Sequence, residues 1–240
     1  MEKLTPEQIT DAKSKGFLLN KNTNCFSGRI VAPGGVYSAG QLAQISECAR
    51  LFGNGTVAFT SRQSAEIVGI PYENIDPARD YLACLASGLL FGGTGPKIRP
   101  IAACKGTTCV FGNGDTQGLA RLLHQKYFLG LSNTAFPSKV KMAVGGCPNS
   151  CVKPDLNDIG LVFRRQKGEE KIQIYVGGMW GRKTRAGTPL SKPIGQEELS
   201  PILDKILGWY QKNANPKERL GFVIERVGIE DLEQFLFSEK

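Results

Sequence analysis

Two short segments of this sequence, Cys104-Lys-Gly-Thr-Thr-Cys109 and Cys147-Pro-Asn-Ser-Cys151, each hold a pair of thiols a few residues apart. Each pair is expected in a loop just after a β-strand, the first after Lys97–Ala103 and the second after Lys139–Val144. Glycine, proline and threonine surround both pairs. Loops of this composition point backbone N–H groups at a bound anion, and a thiolate centre is anionic. Four thiolates gathered at close range repel one another unless a cation neutralises them, so the expectation is a metal. Spacing alone does not choose which. Structural zinc accepts four cysteines in such pairs, and iron–sulfur clusters use similar ones.

The chain has seven cysteines, an odd number that leaves one thiol over under any disulfide scheme. The first thirty residues show no apolar core before a small-residue cleavage site, and no stretch has the length of a membrane span. The expectation is a cytoplasmic protein whose thiols are kept reduced and serve a metal rather than a disulfide framework. Cys48 and Cys84 read as packed thiols on apolar helix faces. Cys25 reads as a loop residue without a role. His124, the one histidine, falls in a helix among apolar residues and reads as structural.

The elements that position these residues follow from periodicity and turn chemistry. Residues 1–24 suggest a short polar helix and a lead-in. Phe26–Ala32 reads as a strand, Pro33-Gly34-Gly35 as a turn, and Ser38–Phe52 as a helix capped by Ser38. After the turn Gly53-Asn54-Gly55 come β-rich Thr56–Thr60 and Glu66–Ile70, then a helix over Pro77–Ala86. The glycine-rich stretch 88–96 reads as a linker turn, because it lacks the spacing of a phosphate-binding loop. The second part holds the two strand–cysteine segments and a helix over Thr116–Leu129. Ile159–Phe163 and Lys171–Val176 then read as a hairpin, with helices over Gln196–Gln211, Pro216–Val227 and Ile229–Leu236. The domains expected are a lead-in to residue 24, a small domain over 25–93 and a larger one over 94–240.

At 240 residues, 41% hydrophobic and 22% charged, the composition is that of an ordinary globular chain. The formal charge of +8 and a pI near 9.1 call for a polyanionic partner or ligand. The basic residues are scattered rather than run together, which suits fixed sites for a compact anion. A zinc-stabilised nucleic-acid module would use the same cysteines and charge, but no aromatic interleaving or nucleic-acid motif is present.

Several motifs together resemble the sirohaem-dependent sulfite and nitrite reductases. They are Lys139-Val-Lys-Met-Ala-Val-Gly-Gly-Cys147-Pro-Asn-Ser-Cys151, Asp158-Ile-Gly-Leu-Val162, Pro33-Gly-Gly-Val36, Thr60-Ser-Arg-Gln63 leading to Val68-Gly-Ile-Pro71, and the tail Glu218-Arg-Leu-Gly-Phe-Val-Ile-Glu-Arg-Val-Gly228. The resemblance spans residues 26–236 and is greatest to the small, single-unit sulfite reductases. It implies an α+β fold: a ferredoxin-like half domain of the parachute type, then a mixed α/β domain that binds sirohaem and a [4Fe–4S] cluster. Cys104, Cys109, Cys147 and Cys151 become cluster ligands, with Cys151 shared with the sirohaem iron. Because sirohaem carries eight carboxylates, Arg29, Arg62 with its neighbours Thr60 and Gln63, Arg99, Lys139, Lys141 and Asn149 become cofactor contacts.

Lys139 and Lys141 alternate along one strand and face one side. The resemblance assigns them, with Arg99, to holding the substrate anion and supplying protons. The implied reaction is the six-electron reduction of sulfite to sulfide, with nitrite to ammonia as the alternative. A third reading is an electron-transfer or tetrapyrrole-handling protein, which the lysine pair disfavours. Electrons would come from a separate donor such as a ferredoxin, with no nucleic acid or membrane partner. Larger members carry two copies of this unit about an approximate twofold axis, so a single unit works as a monomer or a homodimer. Two departures stand out: the first cysteine pair encloses four residues where five are usual, and Val31 stands where a basic residue is common.

Overall fold

The computed structural model describes residues 3–85 and 88–238. The chain divides into two compact units, the first ending at Gly95 and the second starting at Pro96.

In the first unit, Thr5 caps α1 (Pro6–Ser14) through a reciprocal box with Gln8. The chain then enters β1 (Phe17–Leu19) and β2 (Cys25–Val31). Residues expected only to lead in are therefore part of the fold: Phe17–Leu19 pair antiparallel with Phe26–Gly28. Ser38 caps α2 (Ala39–Phe52) by the same kind of box with Gln41. Then come β3 (Val57–Phe59), β4 (Ala65–Pro71), α3 (Ile75–Cys84) and β5 (Leu90–Phe91). The helix expected over Pro77–Ala86 starts two residues earlier, and Ala86 lies outside the described residues. The glycine-rich stretch is not wholly linker, because Leu90 and Phe91 pair with Val31 and Ile30 of β2. The sheet runs β1-β2-β4-β3 with β5 also on β2. Its core is Phe17, Phe26, Ile30, Ile45, Ile67 and Ile70, all at most 1% exposed.

The second unit opens with β6 (Ala102–Ala103), then α4 (Thr116–Leu123) and β7 (Met142–Gly145). Two expected strands are shorter than their patterns suggested. Pro100 has no N–H for a ladder, so the stretch before β6 keeps only the isolated parallel bridge Ile98↔Val140. Likewise Lys139 and Lys141 precede β7 rather than lie in it. α4 passes at His124 into a π-helical turn, His124–Leu129, instead of continuing as one α-helix.

β8 (Ile159–Gln166) and β9 (Glu169–Val176) form the expected hairpin, longer than anticipated. Its tip, Lys167-Gly168, has φ of 52° and 85°, as a two-residue turn matched to strand twist requires. β10 (Thr188–Pro189) follows, then α5 (Gln196–Asn213), α6 (Leu220–Val227) and α7 (Ile229–Phe237). The sheet order is β10-β9-β8-β7-β6. β6, β7 and β8 are parallel, whereas β8, β9 and β10 are antiparallel. Every residue of β7 is buried, which is why it reads as an unbroken apolar run. No helix among the described residues is long and apolar enough to cross a membrane.

Candidate functional site

At the C-terminal ends of β6 and β7 the two cysteine loops meet. Cys104 extends the ladder by donating its N–H to the Val144 carbonyl at 3.0 Å. Its own carbonyl accepts from Thr116 Oγ1 at 2.7 Å and Gln117 Nε2 at 2.9 Å, which ties the loop to the start of α4. A short helical turn, Gly106–Thr108, leads to Cys109.

The second loop crosses the first at Gly146. A Cβ built on Gly146 would stand 2.9 Å from Gly106 Cα and 3.4 Å from Cys104 Sγ, so backbone packs on backbone there. Gly146 donates its N–H to Cys104 Sγ at 3.1 Å, and its carbonyl accepts from Asn113 N at 2.8 Å. Beyond it the Cys147–Cys151 loop turns through Ser150, in the left-handed region at φ 53°. Ser150 Oγ is held by Asp155 at 3.1 Å.

Cys104, Cys109 and Cys147 are half-buried, Cys151 is exposed, and all four are free thiols. Among the described residues, no three His, Cys, Asp or Glu side chains converge on a single-ion site. Asn149 lies exposed in the second loop.

At the opposite, N-terminal end of the same strands sits a basic group. Arg99 donates its N–H to the Val140 carbonyl at 2.8 Å, which brings it beside the Lys139–Lys141 segment. Val140 and Met142 are buried while Lys139 and Lys141 are half-buried, so the expected alternation holds although the segment is not in the ladder. The four residues of β7 separate the two ends by about 13 Å. The structure thus brings the two cysteine loops into contact, and separately sets Arg99 beside the lysine segment, but does not join the groups within one unit.

Beneath the lysines lies Asp158, wholly buried. Its carboxylate accepts from Arg219 Nε at 3.0 Å, Arg219 Nη2 at 2.7 Å and Lys141 N at 2.8 Å. Burial pushes this carboxyl above its ordinary value, against the pull of Arg219 and Lys141. The Lys139 ammonium is held below the ordinary lysine value, first by burial and then by the positive charges of Arg219 and Arg99. Asp158 and Arg219 were not among the expected site residues. They lie 61 positions apart, and no local spacing marks them as partners.

The basic residues of the first unit are differently engaged. Arg29 pairs with Glu66 through Nε at 2.8 Å and donates Nη1 to the Gly93 carbonyl at 3.0 Å. Thr60 closes a tight turn, its hydroxyl accepting from Arg62 N at 3.2 Å and Ser64 N at 3.3 Å. Gln63 sits at φ 59° against Gly35 of the Pro33-Gly34-Gly35 turn, where a Cβ would stand 2.2 Å from Gln63 Cβ. Thr60, Arg62 and Gln63 are all half-buried.

The remaining thiols and the histidine lie apart. Cys48 is buried, and its thiol is pushed up to about 12 by that burial. Cys84 is exposed at the end of α3, not packed on an apolar face as expected. Cys25 opens β2 opposite Pro71 instead of lying in a loop. His124 is buried and stacks on Phe128 with ring centroids 4.9 Å apart; burial lowers its pKa and favours the neutral ring.

Residues 94–240 match the family model of the nitrite and sulphite reductase 4Fe-4S domain. The chain belongs to the nitrite and sulphite reductase family. Residues 19–84 match the ferredoxin-like half domain of the same family. An assimilatory-type sulfite reductase of Nitratidesulfovibrio vulgaris is 28% identical over 92% of this chain and 96% of its own length. A nitrite reductase [NAD(P)H] of Bacillus subtilis is 32% identical over 85% of this chain but only 24% of its own length. Thus the chain spans about a quarter of that relative. The crystal structure of dissimilatory sulfite reductase I shares the fold, with a TM-score of 0.79 at 18% identity over 90% of this chain and 69% of that one.

In this member of the nitrite and sulphite reductase family the donor set suits an iron–sulfur cluster. Four free thiols stand on two glycine-apposed loops. A cluster takes one thiolate per iron around a body several atoms wide, rather than all four on one point.

Proposed function

We propose that the protein is a sirohaem-dependent sulfite reductase carrying out the six-electron reduction of sulfite to sulfide. The observation that carries this reading is the division of the second sheet, with four thiols at one end of β6 and β7 and three basic side chains at the other. The Nitratidesulfovibrio relative of nearly equal length supports sulfite over nitrite. Nitrite remains the alternative substrate, favoured by the Bacillus relative.

In this reading Cys104, Cys109, Cys147 and Cys151 would hold a [4Fe–4S] cluster, and Cys151 would also serve the sirohaem. When bound, the two groups would supply the electrons and the centre at which the substrate is reduced. Each sulfite takes up six electrons and seven protons to give hydrosulfide and three waters, so the residues around it must bind an anion and deliver protons. Lys139 and Lys141 serve both needs. Their ammonium groups attract the oxyanion, and the lowered proton affinity of Lys139 suits it to give up a proton. Arg99 adds a permanent charge, while Arg62 with Thr60 and Gln63, Arg29 and Asn149 are assigned to the carboxylates of the macrocycle. The domain assignment that goes with this reading is a half domain reaching to residue 93, with α1 and β1 belonging to it rather than to a separate lead-in, and 94–240 for the cofactor domain. Electrons come from a separate donor such as a ferredoxin, in the cytoplasm.

The strand length between the two ends argues against one copy meeting one small anion with both. A homodimer resolves this when the basic end of one copy faces the cysteine end of the other. The test is a heterodimer of Cys151→Ser and Lys139→Ala/Lys141→Ala chains, purified through two different tags and assayed with reduced viologen for sulfide formed per electron consumed. Each variant alone is expected to be inactive, whereas the heterodimer regains up to half the wild-type rate. A heterodimer that forms but stays inactive contradicts the shared site. Reduction of nitrite with no sulfide from sulfite contradicts the substrate.

A further inference from the structure

The Asp158–Arg219 pair has no expected role in the reaction, and stability does not explain it. Its side chains are 0% and 13% exposed. A buried ion pair is often no more stabilising than well-packed apolar residues in its place. What distinguishes this pair is what it touches.

Lys141 is pinned on both sides of its peptide. Its N–H goes to Asp158 Oδ2 at 2.8 Å, and its carbonyl accepts from Ile159 N at 3.1 Å. Arg219 grips both oxygens of the same carboxylate. The segment before Arg219 is stitched to the segment before Lys139 by one direct bond and one tyrosine bridge. Lys217 N–H reaches the Pro137 carbonyl at 2.9 Å. The buried Tyr210 hydroxyl accepts from Ser138 N at 3.1 Å and donates to the Glu218 carbonyl at 2.6 Å. Pro137, Ser138, Val140 and Lys141 are thus each held through the main chain, by these bonds or by the Val140 pairing with Arg99.

We infer that Arg219 and Asp158 are positioning residues of the basic site: the pair fixes the main chain at Lys141 and holds a guanidinium charge beside Lys139. The inference rests on the reading of Lys139 and Lys141 as anion-binding groups. The carboxylate is anchored on the lysine backbone rather than offered to the lysine ammonium groups alone. It orders the segment while Arg219 offsets its negative charge, and the net field of Arg99, Lys139, Lys141, Arg219 and Asp158 stays positive.

The test uses the cofactor-loaded protein, with sulfite affinity measured by calorimetry and acylation of Lys139 and Lys141 by mass spectrometry. Arg219→Gln is expected to weaken sulfite binding about tenfold, the size of one charge-assisted contact, and to raise KM more than it lowers kcat. It should also lower acylation of Lys139, whose ammonium loses the neighbouring positive charge that loosens its proton. Arg219→Lys, which restores the charge without the two-point grip, should recover part of the affinity. If Arg219→Gln leaves Asp158 uncompensated and the chain does not fold, the neutral pair Asp158→Asn/Arg219→Gln is used, with the same losses expected. A folded variant of either kind that binds sulfite like the wild type overturns the inference, provided Lys139→Ala/Lys141→Ala weakens binding. If that lysine variant also binds sulfite normally, both the inference and the reading it rests on fall.

Discussion

The two ends of the parallel strands β6 and β7 are built on different principles. At the cysteine end the loops meet through the backbone, with glycine against glycine, an N–H pointed at a thiol and a residue in a left-handed conformation, while Thr116, Gln117 and Asp155 tie them from the flanks. The side chains that matter are left half-buried or exposed. At the basic end, order comes from side chains, through a buried carboxylate, a guanidinium and a tyrosine that grip the chain under two lysines. A loop that must wrap a bulky anionic group needs free N–H donors and room, whereas a site for a small oxyanion needs fixed charges at defined positions. The contrast matches two tasks, holding a cofactor and holding a substrate.

The most damaging change should fall on the cysteine end. Cys151→Ser is expected to abolish sulfite reduction and to lose both the cluster signal and its coupling to sirohaem, read by electron paramagnetic resonance. Full turnover in that variant would remove Cys151 from the centre. Next is Gly146→Ala, whose new Cβ would stand 2.9 Å from Gly106 Cα. The two loops must part, so most of the bound iron should be lost while far-ultraviolet circular dichroism is kept, at about 1–3 kcal/mol of stability.

A change at the basic end should separate the two tasks. Lys141→Ala is expected to leave the cofactor spectra intact and raise the KM for sulfite about tenfold. An unchanged KM would mark it as a solvated surface charge.

The smallest effect is in pH. Lys139 is held below its ordinary value of 10.5 by burial and by Arg219 and Arg99. Sulfite affinity should therefore begin to fall as pH rises through that lowered value, before 10.5 is reached. Because the folded state favours the neutral amine, its contribution to stability should rise with pH through the same window. A decline in affinity that begins only above 10.5 would show Lys139 to be unperturbed.

The two ends were also unequally legible in the sequence. The thiols of CKGTTC and CPNSC are paired at short range within one loop each, so the two loops can be read from local spacing alone. The alternation of Lys139 and Lys141 was readable for the same reason: it is local. Asp158 and Arg219 were not, since their partnership exists only once β8 and the approach to α6 have packed together. In the first unit the start of α3, which has no side-chain cap, was misplaced by two residues, whereas that of α2 was legible through Ser38. β1 and β5 were not, because two or three residues carry no alternation and owe their pairing to β2. Pro100 carried the one warning that the strand before Cys104 would be short.

The most direct test of the central claim is the absorption spectrum of the anaerobically purified protein, with iron, zinc and acid-labile sulfide assayed on the same sample. The account predicts sirohaem bands and iron in excess of labile sulfide. A colourless protein with zinc on its cysteines would contradict it.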